Sequence, residues 1–323
     1  MTDDNQQTSG KSSLQFEQVL ASEVARELLV EQRRHRRWGI FFKILLALYL
    51  FVLLAIWMSD RWQLETTTGL GGKHTAVVDI NGIIGPETQA SADNIITGLR
   101  AAFKNKNTAG VIIRINSPGG SPTQAGYIND EIYRLRDKYP DTPVYAVVRD
   151  ICASGGYYIA VAAEKIYADK ASIVGSIGVV MSGFGFVEAI DKLGIERRLR
   201  HAGENKGFMD PFSPVKEEEA RHVDTLLDTI YEQFIEIVKK GRGDRLRGDD
   251  EEIFSGLIWT GEQSLELGLV DALGSTGYVA REVIGQEEVV DFTYRQSYFD
   301  RFADRLGGAI ADRLYTNMNF NLK

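Results

Sequence analysis

Cys152-Ala153-Ser154-Gly155-Gly156-Tyr157-Tyr158 lies between two apolar runs, Val144 to Val148 before it and Ile159 to Ala163 after it. The first run is short and rich in valine, as a buried strand is; the second reads as a buried helix. A serine at the point where a strand gives way to a helix has its hydroxyl exposed and its neighbours' N–H groups free, which seats a nucleophile. The same residues also suit a tight glycine turn with a serine helix cap, because Ser is a favoured N-cap.

Working outward from Ser154, the pattern upstream repeats. Thr75 to Ile80 reads as a strand, Ala90 to Phe103 as a helix, and Gly110 to Ile115 as a second strand. Ser117-Pro118-Gly119-Gly120-Ser121 breaks that strand, and Gln124 to Lys138 follows as a helix that ends before Pro140. Strand, helix, strand, helix, strand in this order predicts an α/β fold with parallel pairing. Downstream, Lys165 to Ala168, Ile173 to Val180 and Glu196 to Arg200 read as strands. Phe186 to Leu193, Gly261 to Leu267 and Gly277 to Ile284 read as helices, and Ala202 to Ser213 as a polar loop. A long helix is expected over Val215 to Lys239, with Glu217, Glu218 and Glu219 in its first turn and Lys239 and Lys240 at its end, a polarity that suits the helix dipole.

Toward the N-terminus the chain changes character. Met1 to Ser13 is polar and aperiodic, and Leu14 to Glu31 has the spacing of an amphipathic helix. Arg33-Arg34-His35-Arg36-Arg37 then precedes an apolar stretch, Trp38 to Met58. Gly39 to Met58 spans about 30 Å as a helix, the thickness of a hydrocarbon core. Trp38 and Trp57 sit at its two ends, as interfacial aromatics do. The reading is one transmembrane helix over 38–58, a cytoplasmic segment over 1–37, and a periplasmic or otherwise extracytoplasmic remainder, by the positive-inside rule. Residues 59–73 read as a linker, 74–285 as the main domain, and 286–323 as a C-terminal extension whose Tyr298 to Leu314 segment is an amphipathic helix.

Composition narrows the functional classes. A net charge of −8 argues against a nucleic-acid binder. The single cysteine, Cys152, excludes an intrachain disulfide framework and a cysteine-based zinc site. The four histidines are scattered, with no His-Glu-x-x-His pattern. No metal and no cofactor is expected.

A nucleophilic serine needs a base. His201 is the nearest histidine, but it follows the alternating Arg197-Arg198-Leu199-Arg200 and reads as an exposed strand end. A lysine serves when desolvation strips its proton. Lys165, Lys170, Lys192 and Lys206 all follow Ser154, and composition does not choose among them. Acyl transfer also needs N–H donors for an oxyanion. Pro118-Gly119-Gly120 follows a parallel strand, which brings it to the same sheet edge as Ser154.

Three ordered motifs carry a family resemblance: Asn116-Ser117-Pro118-Gly119-Gly120, then Ala153-Ser154-Gly155-Gly156-Tyr157-Tyr158, then Gly175-Ser176-Ile177-Gly178-Val179. Together they resemble the signal peptide peptidase A family of membrane-anchored serine–lysine peptidases, in its short, single-repeat form. The resemblance runs from about Thr75 to Gly285. It implies a Clp protease/crotonase-like α/β fold with parallel strands and flanking helices, preceded by one transmembrane helix. It also implies Ser154 as nucleophile, Lys206 before Asp210-Pro211-Phe212 as general base, and Ser176 as the residue that orients the lysine. Gly119, Gly120 and Gly155 match the oxyanion donors. Short members of this family are similar to ring-shaped homo-oligomers in which neighbouring subunits share active sites. The expected substrates are cleaved signal peptides and small or unfolded extracytoplasmic proteins, with the anchor in the inner membrane. The alternative is a non-catalytic membrane scaffold or binding protein on the same fold; a crotonase-type acyl-CoA enzyme and Cys152 as nucleophile are weaker readings.

Overall fold

The computed structural model describes residues 38–54 and 72–295. The chain divides into two units, and Gly71–Gln296 forms one of them by itself. In the other, residues 38–54 form a helix, α1, with its apolar side chains exposed nearly all round. No helix among the described residues is long and apolar enough to cross a membrane. Residues 55–58 of the expected span lie outside the described residues, as do the segments 1–37, 55–71 and 296–323.

In the larger unit, eight strands among the described residues make one sheet. Its backbone is β1 (His74–Asn81), β2 (Thr108–Ser117) and β3 (Val144–Ala153), parallel throughout. Short strands finish the edges. β8 (Val289–Asp291) runs parallel to β1, just past the end expected for the domain. β3 forks: its first half pairs with β4 (Lys165–Ala168) and its second half with β5 (Ile173–Gly175). β7 (Ala272–Leu273) lies beside β4, and β6 (Ile258–Thr260) closes the other branch as the antiparallel strand.

Period-two alternation on β1 decides what each face buries. Ala76, Val78 and Ile80 face a large core with α2 (Ala92–Lys104), α3 (Pro122–Lys138) and α4 (Gly155–Ala160). Ile95, Leu99, Ile128, Ile132, Leu135 and Tyr157 fill it. Val77 faces the other way, into a smaller cluster with Ile112, Val147, Tyr167, Val279 and Ala280. Asp79 follows on that second face and makes a bidentate pair with Arg114 of β2, at 2.6 and 2.8 Å.

The long helix α6 (Glu217–Arg242) docks through its C-terminal half. Buried Arg242 donates to the Gly268 carbonyl and to Asp271, and Arg245 reaches the second Asp271 oxygen. Burial alone would raise the Asp271 carboxyl, yet the two guanidinium groups hold it below the usual carboxylate range. The Tyr157 hydroxyl donates to Leu269 O at 2.8 Å, so α4 is tied to the same turn.

Two expectations fail here. Glu196 to Arg200 is not a strand: it runs exposed, with no neighbouring strand to pair with, and Arg197 turns instead to Asp210. The strand expected to reach Val180 ends at Gly175, because Ser176 takes a φ of 52° and leaves the ladder. From Val180 to Lys216 the chain forms an arm that contributes nothing to the core; α5 (Val187–Lys192) within it has no buried residue.

Candidate active site

The site forms where β2 and β3 end together. Ile115 pairs with Val148, but Ser117 pairs with Cys152, so β3 spends four residues where β2 spends two. Asn116 fills the resulting gap. Its Oδ1 accepts the Ile151 N–H at 3.2 Å, and its Nδ2 donates to Asp150 at 2.9 Å. The extra length of β3 carries Ser154 out beyond the sheet.

Ser154 has φ 50° and ψ −123°, a conformation that costs a non-glycine residue about 1–3 kcal/mol. Its backbone is held on both sides: the N–H donates to Gly175 O at 2.9 Å, and the carbonyl accepts the Tyr158 N–H at 3.0 Å. Its side chain makes no capping hydrogen bond to α4. Ser154 thus stands at the N-cap position of α4, but its hydroxyl does no capping and is free for other use.

The glycine turn meets Ser154 at close range. A methyl group on Gly119 would lie 2.7 Å from Ser154 Cβ and 2.9 Å from Gly155 N. One on Gly120 would lie 2.0 Å from the Ile84 carbonyl oxygen. With φ of 107° and 149°, both positions need glycine on conformation as well as space. The three expected oxyanion donors are not equivalent. The Gly119 N–H is taken by Ser117 Oγ at 3.1 Å. Gly120 and Gly155 N–H find no acceptor among the described residues, and a methyl on Gly155 would sit 3.4 Å from Gly120 N, so the two donors are neighbours.

Ser176 follows Gly175, which pairs with Ala153, so Ser154 and Ser176 leave adjacent strands side by side. The Ser176 N–H donates to Leu257 O at 2.7 Å. Lys206 lies elsewhere, in a run of turns on the arm, exposed, with its ammonium free of hydrogen-bond and ion-pair partners among the described residues. Nothing within one chain's hydrogen bonds joins it to Ser154 or Ser176. Asp210, which follows it on the same loop, is engaged: it accepts from Arg197 at 3.1 and 3.2 Å and from Ser213 at 2.7 Å. Arg197, then Ser213, hold the Asp210 carboxyl below its ordinary value.

His201 is exposed and its Nδ1 lies 2.9 Å from Gly203 O. Lys165, Lys170 and Lys192 are exposed, as Lys206 is, so exposure does not separate the four lysines; Lys192 pairs with Glu188. Cys152 is fully buried, and burial pushes its thiol well up, so it is no nucleophile. Sequence reasoning gave Asn116, Ser117 and Ile84 no role. The signal for the first two was present: polar residues that end a buried strand directly before Pro-Gly-Gly need partners there.

The description Peptidase family S49 matches residues 136–289. A Brucella abortus protein named Na(+)/H(+) antiporter NhaA is 44% identical over 189 residues, 58% of this chain; the chain spans only 25% of that protein's length. An Enterococcus faecium protein named for signal peptide peptidase SppA is 29% identical over 255 residues, which cover 76% of this chain and 73% of its own. A Synechocystis protein with a protease name is 32% identical over 214 residues, 66% of this chain and 73% of its own. With a protease-named relative 32% identical over 73% of its own length, a relative named for signal peptide peptidase SppA and the family match over 136–289, the chain belongs to peptidase family S49, the family of signal peptide peptidase A.

Proposed function

We propose that this protein is a membrane-anchored serine endopeptidase. It hydrolyses peptide bonds of cleaved signal peptides and small or unfolded extracytoplasmic proteins, with Ser154 as nucleophile and Lys206 as general base, on a Clp protease/crotonase-like fold. The observation that carries this reading is the backbone of Ser154: strained, with its hydroxyl uncapped, and flanked by the unpaired N–H groups of Gly120 and Gly155.

In this mechanism the Ser154 Oγ attacks the substrate carbonyl carbon while the Lys206 amine takes the hydroxyl proton. The carbonyl oxygen becomes an oxyanion facing Gly120 and Gly155 N–H. As the C–N bond breaks, the lysine returns the proton to the leaving amine. Water then hydrolyses the acyl-serine, with the lysine again taking and returning a proton.

A lysine acts as a base only where it is desolvated. Lys206 is exposed on an arm whose Val180 and Phe184 are 85% and 82% exposed. A homo-oligomer that lays this arm against the next copy supplies the dry setting and brings Lys206 to a neighbour's Ser154. The proposed anchor is the apolar run Trp38 to Met58, of which α1 is the described part, preceded by the arginine cluster. Under the positive-inside rule, that cluster supports a cytoplasmic N-terminus with the peptidase unit on the far side of the membrane.

The test is direct. Ser154→Ala and Lys206→Ala each abolish cleavage of an apolar peptide by the full chain in detergent. Wild-type activity retained in both variants would overturn the assignment.

A further inference from the structure

The oxyanion turn has no rigidity of its own, since two consecutive glycines are the most permissive backbone there is. Yet in electrostatic catalysis a donor is worth most when it is fixed in advance. Two groups outside the reacting atoms supply that fixing. Ile84 N–H donates to Gly119 O at 2.9 Å, and Ile84 O accepts Ser121 N–H at 2.9 Å, so Ile84 runs as a one-residue parallel strand beside Gly120. The peptide between Gly119 and Gly120 is planar and trans, so its C=O and N–H point opposite ways. Pinning the Gly119 carbonyl to Ile84 therefore aims the Gly120 N–H away from Ile84 N–H and out of the turn. On the other side of Gly119, fully buried Ser117 accepts the Gly119 N–H at 3.1 Å, which fixes the preceding peptide plane.

We infer that Ser117 and the Ile84 backbone are positioning groups that hold the Gly120 N–H in its oxyanion-binding direction. The inference rests on Ser154 being the nucleophile. Neither group touches substrate. Ile84 is 1% exposed, and the Ser117 side chain faces the turn. The 2.0 Å approach of a Gly120 methyl to Ile84 O shows how tightly strand and turn are pressed together.

The experiment compares Ser117→Ala and Ile84→Pro with wild type in the full chain. Ser117→Ala removes the acceptor for Gly119 N–H, and Ile84→Pro removes the donor to Gly119 O. Turnover is measured alongside the Ki of a peptide aldehyde, whose serine adduct carries an oxyanion, and of the matching peptide alcohol, which forms no adduct. Each variant should lose about tenfold or more in kcat with KM within about twofold, and aldehyde Ki should rise by a similar factor while alcohol Ki stays put. Partial unfolding lowers kcat per mole of chain but leaves Ki unchanged, so Ki separates positioning from mere stability. Unchanged aldehyde Ki in both variants overturns the inference. Ser154→Ala runs in parallel: if it retains turnover, the nucleophile assignment fails instead.

Discussion

Ser154 and Ser176 leave neighbouring parallel strands one residue beyond the paired Ala153 and Gly175, both with φ near +50°. Adjacent strands lie about 4.8 Å apart, so the two hydroxyl-bearing residues share one edge of the sheet. Each is held through its main chain, Ser154 by Gly175 O and Ser176 by Leu257 O. That leaves both side chains available to a third group. Among the described residues no third group is hydrogen-bonded to them, and Lys206 sits on the exposed arm.

This division of labour predicts complementation between inactive variants. Ser154→Ala and Lys206→Ala are each expected to be inactive alone. If neighbours share a site, subunits mixed by unfolding and refolding together regain activity, because some sites pair an intact serine with an intact lysine. Random mixing of equal amounts in a cyclic assembly gives about a quarter of wild-type turnover. No recovery in assemblies shown to contain both variants would place serine and lysine in the same subunit.

Much of this arrangement was legible in the chain, for identifiable reasons. β1, α2, β2, α3 and β3 follow from hydrophobic period and from breakers such as Pro118 and Pro140. The edge strands β6, β7 and β8 were not foreseen. Each is two or three residues long, and only its partner makes it a strand. Glu196 to Arg200 shows the converse: its alternation matches a strand, but no ladder is available to receive it. At the site, Ser154 and the glycine turn announced themselves by residue type. Which glycine N–H stays open depends on Ser117 Oγ, a contact that glycine spacing does not encode. Among the four lysines only the family resemblance singles out Lys206, since a single chain leaves its ammonium in solvent.

Asn116 gives a second prediction. Its amide holds two consecutive residues of the β3 bulge, accepting from the Ile151 N–H and donating to the Asp150 carboxylate. Asn116→Ala strands the Ile151 N–H and should cost about 1–2 kcal/mol of stability. Because the bulge delivers Ser154, kcat should fall further than the loss of folded protein explains. Urea unfolding and turnover on the same samples check both parts; unchanged stability and turnover would remove Asn116 from this role.

Cys152 provides a third. It is fully buried on β3 opposite Ser117, and burial raises its thiol. The native protein should resist a thiol-modifying disulfide reagent at mildly alkaline pH and react at one site after denaturation. Cys152→Ala should keep kcat within about twofold, at a stability cost on the order of 1 kcal/mol from the small void. Rapid labelling of native protein with parallel loss of activity would return the thiol to the list of nucleophiles.

Glu131 sets the acid limit of the helical layer. It joins α2 to α3, accepting from Arg134 at 2.6 and 2.7 Å and from Arg100 at 2.7 Å, while only 7% exposed. Arg134 first, with Arg100 after it, overcomes the opposing effect of burial and lowers the carboxyl to about 2. A depressed folded-state pKa contributes stability that is fully present above the unfolded value, about 4.3, and is lost as pH falls toward the folded value. Both arginines are half exposed or more, so solvent screening trims the contribution to about 1–2 kcal/mol. Glu131→Gln should therefore destabilise the protein by that amount at pH 7. The gap between variant and wild type should hold down to about pH 5 and close as pH approaches 2. Denaturant unfolding of both proteins across this range measures the gap directly. A gap that stays constant with pH would mean that the loss comes from packing and not from the charge.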